Sequence, residues 1–305
     1  MAATTYDVLG LGAVAVDDLL YVDEFPQPDG KTQVQAKARA GGGLAGTALV
    51  AVARLGLRAA YSGVLDDDEL SVYSLTELER EGVDCGLVAK RAGARPYHSI
   101  IVINRLQPQR CIFFSNANVT APTPEDLPES AIAAAKVLFV DHTVAGAAVR
   151  AAGIARRHGR PVVGDIEQAE FAEREAFLEG INHLILNQEM AAKLTGLADP
   201  AASAAALLRP GGAAVVVTHG AAGSWFVTPG QPVRQQPAIQ VEVVDTNGCG
   251  DVFHGAYAAC LAWGGDVPTA VRVAAVAAGL KARKSGGRPG IPSRAEVEER
   301  LAAER

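Results

Sequence analysis

No apolar run in the 305 residues approaches the ~20 that a membrane-spanning helix needs, so no such span is expected. There is no Lys/Arg block either, and the net charge is −6. Nucleic acid and anionic membrane surfaces are therefore not expected as partners. Met1 to Asp7 lack the basic and apolar regions of a signal peptide, and the expected compartment is the reducing cytoplasm. The four cysteines (Cys85, Cys111, Cys249 and Cys260) are scattered without metal-ligand spacing and read as buried small residues. Aromatic residues make up only 5% of a chain rich in alanine and glycine, which suits close helix-on-sheet packing. No internal repeat or low-complexity linker divides it. With 49% hydrophobic residues, it can bury one large core with a small appended lobe.

What is present is an alternation of short apolar runs with Ala-rich amphipathic stretches. Val8 to Gly12 reads as a buried strand, 44–55 as a helix ended by Gly56, Ala59 to Val64 as a strand and 70–81 as a helix ended by Gly82. From Val137 the rhythm is regular, with strands at 137–141, 162–165, 183–187 and 214–218. Helices are expected over 144–158, 168–178, 188–195 and 200–208, and a last one over 274–284. This order implies an α/β fold, a mostly parallel sheet covered by helices on both faces, with ligands beyond the carboxyl ends of the strands. Residues 32–40, 97–104 and 110–115 instead alternate with period two, as antiparallel strands with one exposed face do. The chain reads as a single domain over 1–305 with a small β lid inserted from about 31–41 and 96–116. Phe113 and Phe114 either form a dimer surface there or face the main body.

The most informative stretch, 245–255, is Asp-Thr-Asn-Gly-Cys-Gly-Asp-Val-Phe-His-Gly. Gly248 and Gly250 flank Cys249, Asp251 follows, and Val252, Phe253, Ala256, Ala259, Cys260 and Leu261 recur at helical spacing. A turn of small residues opening into a buried helix leaves backbone N–H groups bare at the positive end of a helix dipole, where phosphate oxygens bind. Asp251, in the first turn, is placed to take a proton from a hydroxyl attacking a phosphoryl group. A tight connection without function has the same composition, and the residues alone leave both readings open. A second glycine cluster, Gly41 to Gly46, would admit a polyhydroxylated ligand to a helix start or merely pack that helix on the sheet. Asp17, at a strand end, would bind hydroxyls or cap the next element, and Lys31 would meet substrate or solvent.

The 245–255 string resembles the C-terminal signature of the ribokinase / phosphofructokinase-B family of sugar kinases, Asp-Thr-Thr-Gly-Ala-Gly-Asp-x-Phe-x-x-Gly, with Asn247 for Thr and Cys249 for Ala. Gly42, Gly43, Ala48, Arg54, Leu55 and Gly56 resemble its N-terminal signature, with Thr47 in place of the usual sugar-contacting Asn. The likeness runs from residue 7 to about 292. It implies a ribokinase-like fold and ATP-dependent phosphorylation of a primary hydroxyl of a small sugar, with Mg2+ on the phosphates. It implies Asp251 as base, with the N–H groups of Gly248, Cys249 and Gly250 as an anion hole. Asp17, Lys31, Gly42, Gly43 and Thr47 would meet the sugar; Asn187, Thr218, Gly220, Gly223, Thr246, Gly248 and Gly250 would meet the nucleotide. Adenine would lie between the last helix and the turn after Thr218.

Three departures bear on cofactor and substrate. Where the family has Asn-x-x-Glu for Mg2+, this chain has Asn187 and Met190, with Glu189 as the stand-in. A monovalent cation such as K+ is implied between Asp245 and the loop after the 274–284 helix. The lid is expected to close over the sugar and to pair with a second copy in a homodimer. Residues 245–256 and 286–292 look most like the ketohexokinase and sulfofructose-kinase branch, but Phe114 and Thr143 fall where that branch carries sulfonate-binding Asn and Arg. A ketohexose or pentose is the first expectation, a nucleoside or sulfosugar the alternative. A non-catalytic sugar or nucleotide sensor is favoured by Met190 and Thr47 and opposed by the intact Asp251. A Rossmann dehydrogenase would use Gly10-Leu-Gly12-Ala-Val-Ala15, but no acidic residue is well placed about 20 residues on.

Overall fold

A computed structural model describes residues 6–107 and 109–303. The chain opens with β1 (Val8–Leu11), β2 (Ala15–Val22), β3 (Ala36–Gly42), α1 (Leu44–Arg54), β4 (Ala59–Leu65), α2 (Glu69–Arg80) and β5 (Val83–Lys90). Then come β6 (Tyr97–Asn104), β7 (Arg110–Ser115), α3 (Glu129–Ala134), β8 (Val137–Asp141), α4 (Ala145–Arg157) and β9 (Val162–Asp165). They are followed by α5 (Arg174–Gly180), β10 (His183–Asn187), α6 (Gln188–Thr195), α7 (Pro200–Leu207), β11 (Ala214–Thr218), β12 (Ser224–Val227) and β13 (Arg234–Gln236). Helices α8 (Cys249–Ala262), α9 (Val267–Lys281) and α10 (Arg294–Ala303) close the described chain.

Nine strands form one sheet in the order β13-β12-β11-β10-β9-β8-β1-β4-β5, parallel from β11 to β5 and antiparallel at the β12 and β13 edge. Successive strand residues feed opposite faces, so neighbouring apolar residues serve two cores. Val8, Tyr61, Phe139 and Ile185 pack with α1, α8 and α9, whereas Leu9, Leu138, Val140 and Leu186 pack with α4 and α6. Helix α8 is buried on nearly every side, wedged between α1 and α9.

A second sheet, β3-β2-β6-β7, projects as the lid. A fourth strand, beyond the three expected, is a finding: β2 belongs to the lid, where the doublets Asp17-Asp18 and Leu19-Leu20 hide the alternation. The expected 32–40 strand begins instead at Ala36 and runs to Gly42. Register puts Asp17 opposite Ser99, and Ser99 opposite Phe114, so the three share one face of this sheet. Helix α5 starts at Arg174 rather than at 168, because Glu173 sits in the left-handed region (φ 59°) and blocks propagation towards the amino end. Cys111 is exposed and Cys85 half-buried, against the expectation of buried thiols. Among the described residues no helix is long and apolar enough to cross a membrane.

Candidate active site

A cleft of about 1070 Å³ opens beyond the carboxyl ends of the central parallel strands and beneath one face of the lid. That is room for a sugar and a nucleotide together. Its walls carry Ala13 after β1, His142 and Thr143 after β8, Glu167 after β9, Asn187 at the end of β10 and Gly220 after β11. The amino ends of two helices, α1 and α8, line it.

Of helices α1 to α9 only these two start from a glycine; α3, α4 and α5 also lack a side-chain cap but start from Pro128, Val144 and Glu173. Helices α2, α6, α7 and α9 begin with a side chain that accepts from the first turn: Asp68, Asn187, Asp199 and Asp266. Helices α1 and α8 begin instead at Gly43 (φ 88°) and Gly248 (φ 75°), with no side-chain cap. At α1 the Gly46 N–H donates to the Ala13 carbonyl at 3.0 Å, so part of that first turn is satisfied by backbone.

At α8 the first intrahelical bond runs from the Val252 N–H to the Gly248 carbonyl at 3.0 Å. The Cys249 N–H donates to the Thr246 carbonyl at 3.1 Å. Cys249 is therefore not the anion-hole donor expected of it; the open donors are Gly248, Gly250 and Asp251. Burial also pushes the Cys249 thiol up, which keeps it from acting as a nucleophile. A Cβ on Gly248 would lie 3.1 Å from the Gly287 carbonyl, whereas one on Gly250 would meet nothing within 4 Å. The first turn thus faces open cleft.

Asp251 stands beside that opening. Burial, and then the nearby carboxylates of Asp165, Glu167 and Asp141, push its pKa well above the ordinary range, with Arg288 pulling the other way. Asp141 accepts from the Ala13 N–H at 2.7 Å and from Thr143. Asp165 is 2% exposed; its Oδ1 lies 3.5 Å from His254 Nε2 and its Oδ2 has no partner among the described residues. The His254 ring spans the Gly250 carbonyl (2.8 Å) and the Ile185 carbonyl (3.1 Å), which ties the start of α8 to β10.

The opposite end is built around Asp17, whose pKa is raised by burial against a stabilising bond from Ser99 and the charge of Arg288. A Cβ on Gly42 would come 2.6 Å from the Asp17 carboxylate, and one on Gly43 would come 2.5 Å from the Ala13 carbonyl. Asp17 and Gly43 line the cleft. Gly42, Thr47 and Lys31 do not: Gly42 ends β3 behind Asp17, Thr47 is buried within α1, and Lys31 is exposed on the loop before β3. Arg288 is buried under Gly41 and Gly46 and donates to the Gly42 carbonyl at 2.7 Å. Burial brings its pKa down to about 10.

Asn187, Thr218, Gly220, Gly223, Thr246, Gly248 and Gly250, the residues expected to meet a nucleotide, all line the cleft. Gly223 (φ 93°) has the Gln236 carbonyl 2.2 Å from where a Cβ would stand. Beside this turn Ala275, Ala278 and Gly279 of α9, with Ile239 and Val241 of the segment facing it, give the cleft an apolar wall.

The two metal expectations fare differently. Glu189 does not line the cleft; it is an exposed side chain paired with Lys193 at 2.6 Å, and Met190 is buried in the core. Glu167 does line the cleft, and in the sequence it is passed over next to the expected 168–178 helix; its position two residues after Asp165 at a strand end was the available signal. Glu167, with the unpartnered Asp165 oxygen beneath, fits a hydrated divalent cation. No three His, Cys, Asp or Glu side chains among the described residues form a direct ligand set. Asp245, the residue expected at a K+ site, is tied to protein donors. Its Oδ1 accepts from the Asn247 N–H at 2.8 Å, its Oδ2 from the Gly286 N–H at 2.8 Å and its carbonyl from Lys281 Nζ at 3.0 Å.

The pfkB family carbohydrate kinase model matches residues 7–294. The chain is 27% identical over 306 residues to the ribokinase of Staphylococcus aureus (strain COL), covering 96% of this chain and 99% of that one. It is 24% identical over 322 residues to the 5-dehydro-2-deoxygluconokinase of Bacillus licheniformis, covering 98% and 97%. The structure of Arabidopsis thaliana ribokinase complexed with ribose and ATP superposes with a TM-score of 0.85 at 20% identity, over 98% of this chain and 99% of that chain. The chain belongs to the pfkB family of carbohydrate kinases; it has the ribokinase-like fold and is a sugar kinase.

Proposed function

We propose that this kinase uses ATP to phosphorylate a primary hydroxyl of a neutral small sugar, a ketohexose or a pentose. The observation that carries the reading is an uncapped, glycine-led helix start with a carboxylate free of hydrogen-bonded partners, Asp251, in its first turn, facing a second carboxylate, Asp17, across one cleft. The sugar is held by Asp17 and Ser99, with its reacting hydroxyl towards Asp251. Asp251 takes the proton as the oxygen attacks the γ-phosphorus. Its raised proton affinity makes it a stronger base near neutral pH than an ordinary carboxylate. The N–H groups of Gly248, Gly250 and Asp251 receive the charge on the transferring phosphoryl oxygens, each such donor contributing about 2.7–4 kcal/mol. Adenine lies against the apolar wall at α9, beside the 220–223 turn. Mg2+ on the ATP phosphates would neutralise part of their charge while keeping most of its water, and Glu167 with Asp165 would face that hydrated ion.

Charge on the walls supports a neutral sugar. Arg110, on the lid, is the sole Lys or Arg among the described lining residues, and its charge acts on Asp245 and Lys281 at the phosphate end. At the Asp17 end the nearby cation is Arg288, which is buried beneath the glycine turn and does not line the cleft. A nucleoside is the second reading, because Phe114, Ile112, Ile101 and Tyr97 form an apolar lid wall in register with Asp17 on which a base would stack. On the lid's other face Ile100 pairs with Phe113, and they are 41% and 63% exposed. With β7 an open edge, a second copy of this chain is the partner we assign to that face.

The test is ADP release from MgATP by purified protein with a panel of ketohexoses, pentoses, aldoses, sugar acids, sulfofructose and nucleosides. A neutral sugar is expected to raise release well above hydrolysis, with the signal lost in Asp251→Asn. Silence across the panel while MgATP still binds would put a sensor in place of the kinase. A nucleoside as best acceptor would move the assignment to the second reading.

A further inference from the structure

Lys281 is the last residue of α9, and it is 0% exposed. An ammonium taken out of water is costly unless its charge and its protons are met. Nζ donates to the Asp245 carbonyl at 3.0 Å. Burial pulls its pKa down, Cys249, Asp245 and Asp251 push it back up, and Arg110 opposes them from the lid. Three of these four partners belong to the turn that starts α8.

That turn is fastened to the end of α9 at several further points. The N–H groups of Val244 and Asp245 both donate to the Ala282 carbonyl, at 2.8 and 3.0 Å. The Gly286 N–H donates to Asp245 Oδ2 at 2.8 Å. The ammonium therefore sits at the junction of three segments, behind the open N–H groups of Gly248, Gly250 and Asp251. Every oxygen of Asp245 is engaged by a proton donor, and the positive charge of Lys281 at its carbonyl opposes a second cation there.

We propose that Lys281 is a tethered monovalent cation built into the anion-binding turn, holding the Asp245 carbonyl as a bound K+ would and making the protein independent of K+. An ammonium and K+ are similar in charge and size. The tethered one needs no association from solution, so it loses no translational freedom on binding. Lys281 is a positioning residue: it touches neither sugar nor nucleotide and acts through the backbone of 245–251.

The activity part of the test rests on the kinase reading; the stability part does not. ADP release and thermal melting are measured in KCl and in choline chloride at equal ionic strength, for wild type, Lys281→Met and Lys281→Ala. Wild-type rate and Tm are expected to agree in the two salts within about twofold and a degree or so. Lys281→Met is expected to lower kcat about tenfold with the sugar KM nearly unchanged, because the donors are misaimed rather than the sugar site altered. Lys281→Ala is expected to recover about threefold or more on adding K+, ammonium or methylammonium, and to melt higher with them. A wild type more than about fivefold slower in choline, or one whose Tm rises with K+, overturns the proposal. So does a Lys281→Met enzyme with unchanged kcat. If neither variant folds, the wild-type comparison of salts decides by itself; if no acceptor is phosphorylated, the melting comparison decides.

Discussion

The two glycine-led helix starts share a construction and differ in what they show the cleft. Each begins with a left-handed glycine, and behind each lies a buried cation bonded to a backbone carbonyl: Arg288 on Gly42 and Lys281 on Asp245. At α1 the exposed feature is a single carboxylate, Asp17, beside a crowded glycine turn. At α8 it is a row of free N–H groups with Asp251 among three further acids. The first end suits a neutral polyol, which needs acceptors for its hydroxyls. The second suits a phosphate, which needs donors and a base. The difference lies in the facing groups, since glycine, helix start and hidden cation are common to both.

The largest break expected in this contrast is Asp251→Asn. Turnover should fall about 10³-fold while ATP affinity by equilibrium titration stays within about twofold, since the donors remain. The same variant should melt higher than wild type near neutral pH. A carboxyl with a raised folded-state pKa binds its proton more tightly folded than unfolded, so its ionised form destabilises the fold as pH rises above the ordinary carboxylate range. For the same reason wild-type kcat/KM should decline on the acid side at a pH above that range, measured as a pH–rate profile. Asp17→Asn comes next: sugar KM is expected to rise about tenfold or more with ATP KM unchanged, through loss of charged hydrogen bonds. An effect on ATP KM instead would exchange the roles of the two ends.

Two paired substitutions sharpen the comparison further. Gly43→Ala should destabilise by about 1–3 kcal/mol in urea unfolding, since its φ is strained for alanine and a carbonyl stands 2.5 Å from the new methyl. Gly250→Ala, with open space, should change stability by less than about 0.5 kcal/mol yet cut ATP-dependent turnover by filling the phosphate approach. The smallest effect separates two glutamates. Glu167→Gln should raise the Mg2+ concentration for half-maximal rate several-fold, while Glu189→Gln should leave it unchanged and remove only a solvent-screened surface pair.

Much of this was legible in residue order. From β8 to β11, strand boundaries matched because each apolar run is buried on both faces and bounded by polar strand ends. That Gly248 to Asp251 open a buried helix was legible, because small residues lead there into a long apolar run. What escaped was decided by contacts distant in the chain. Glu167 looked like the approach to a helix until Glu173 stopped α5 short. Lys281 reads as an ordinary basic residue in a helix's last turn, and only the packing of α9 on the 245–251 turn buries it. Cys249 seemed a donor until its N–H turned back to Thr246. Thr47 and Lys31 matched a pattern of positions, yet neither faces the cleft.

The lid wall carries a consequence for descent. Ile112 and Phe114 line the cleft while 49% and 69% exposed, so little of the fold's stability depends on them. A lineage can exchange these side chains one at a time, and each intermediate still folds and still transfers phosphoryl groups. New acceptors are then reached by drift at the rim, over a reaction inherited unchanged below.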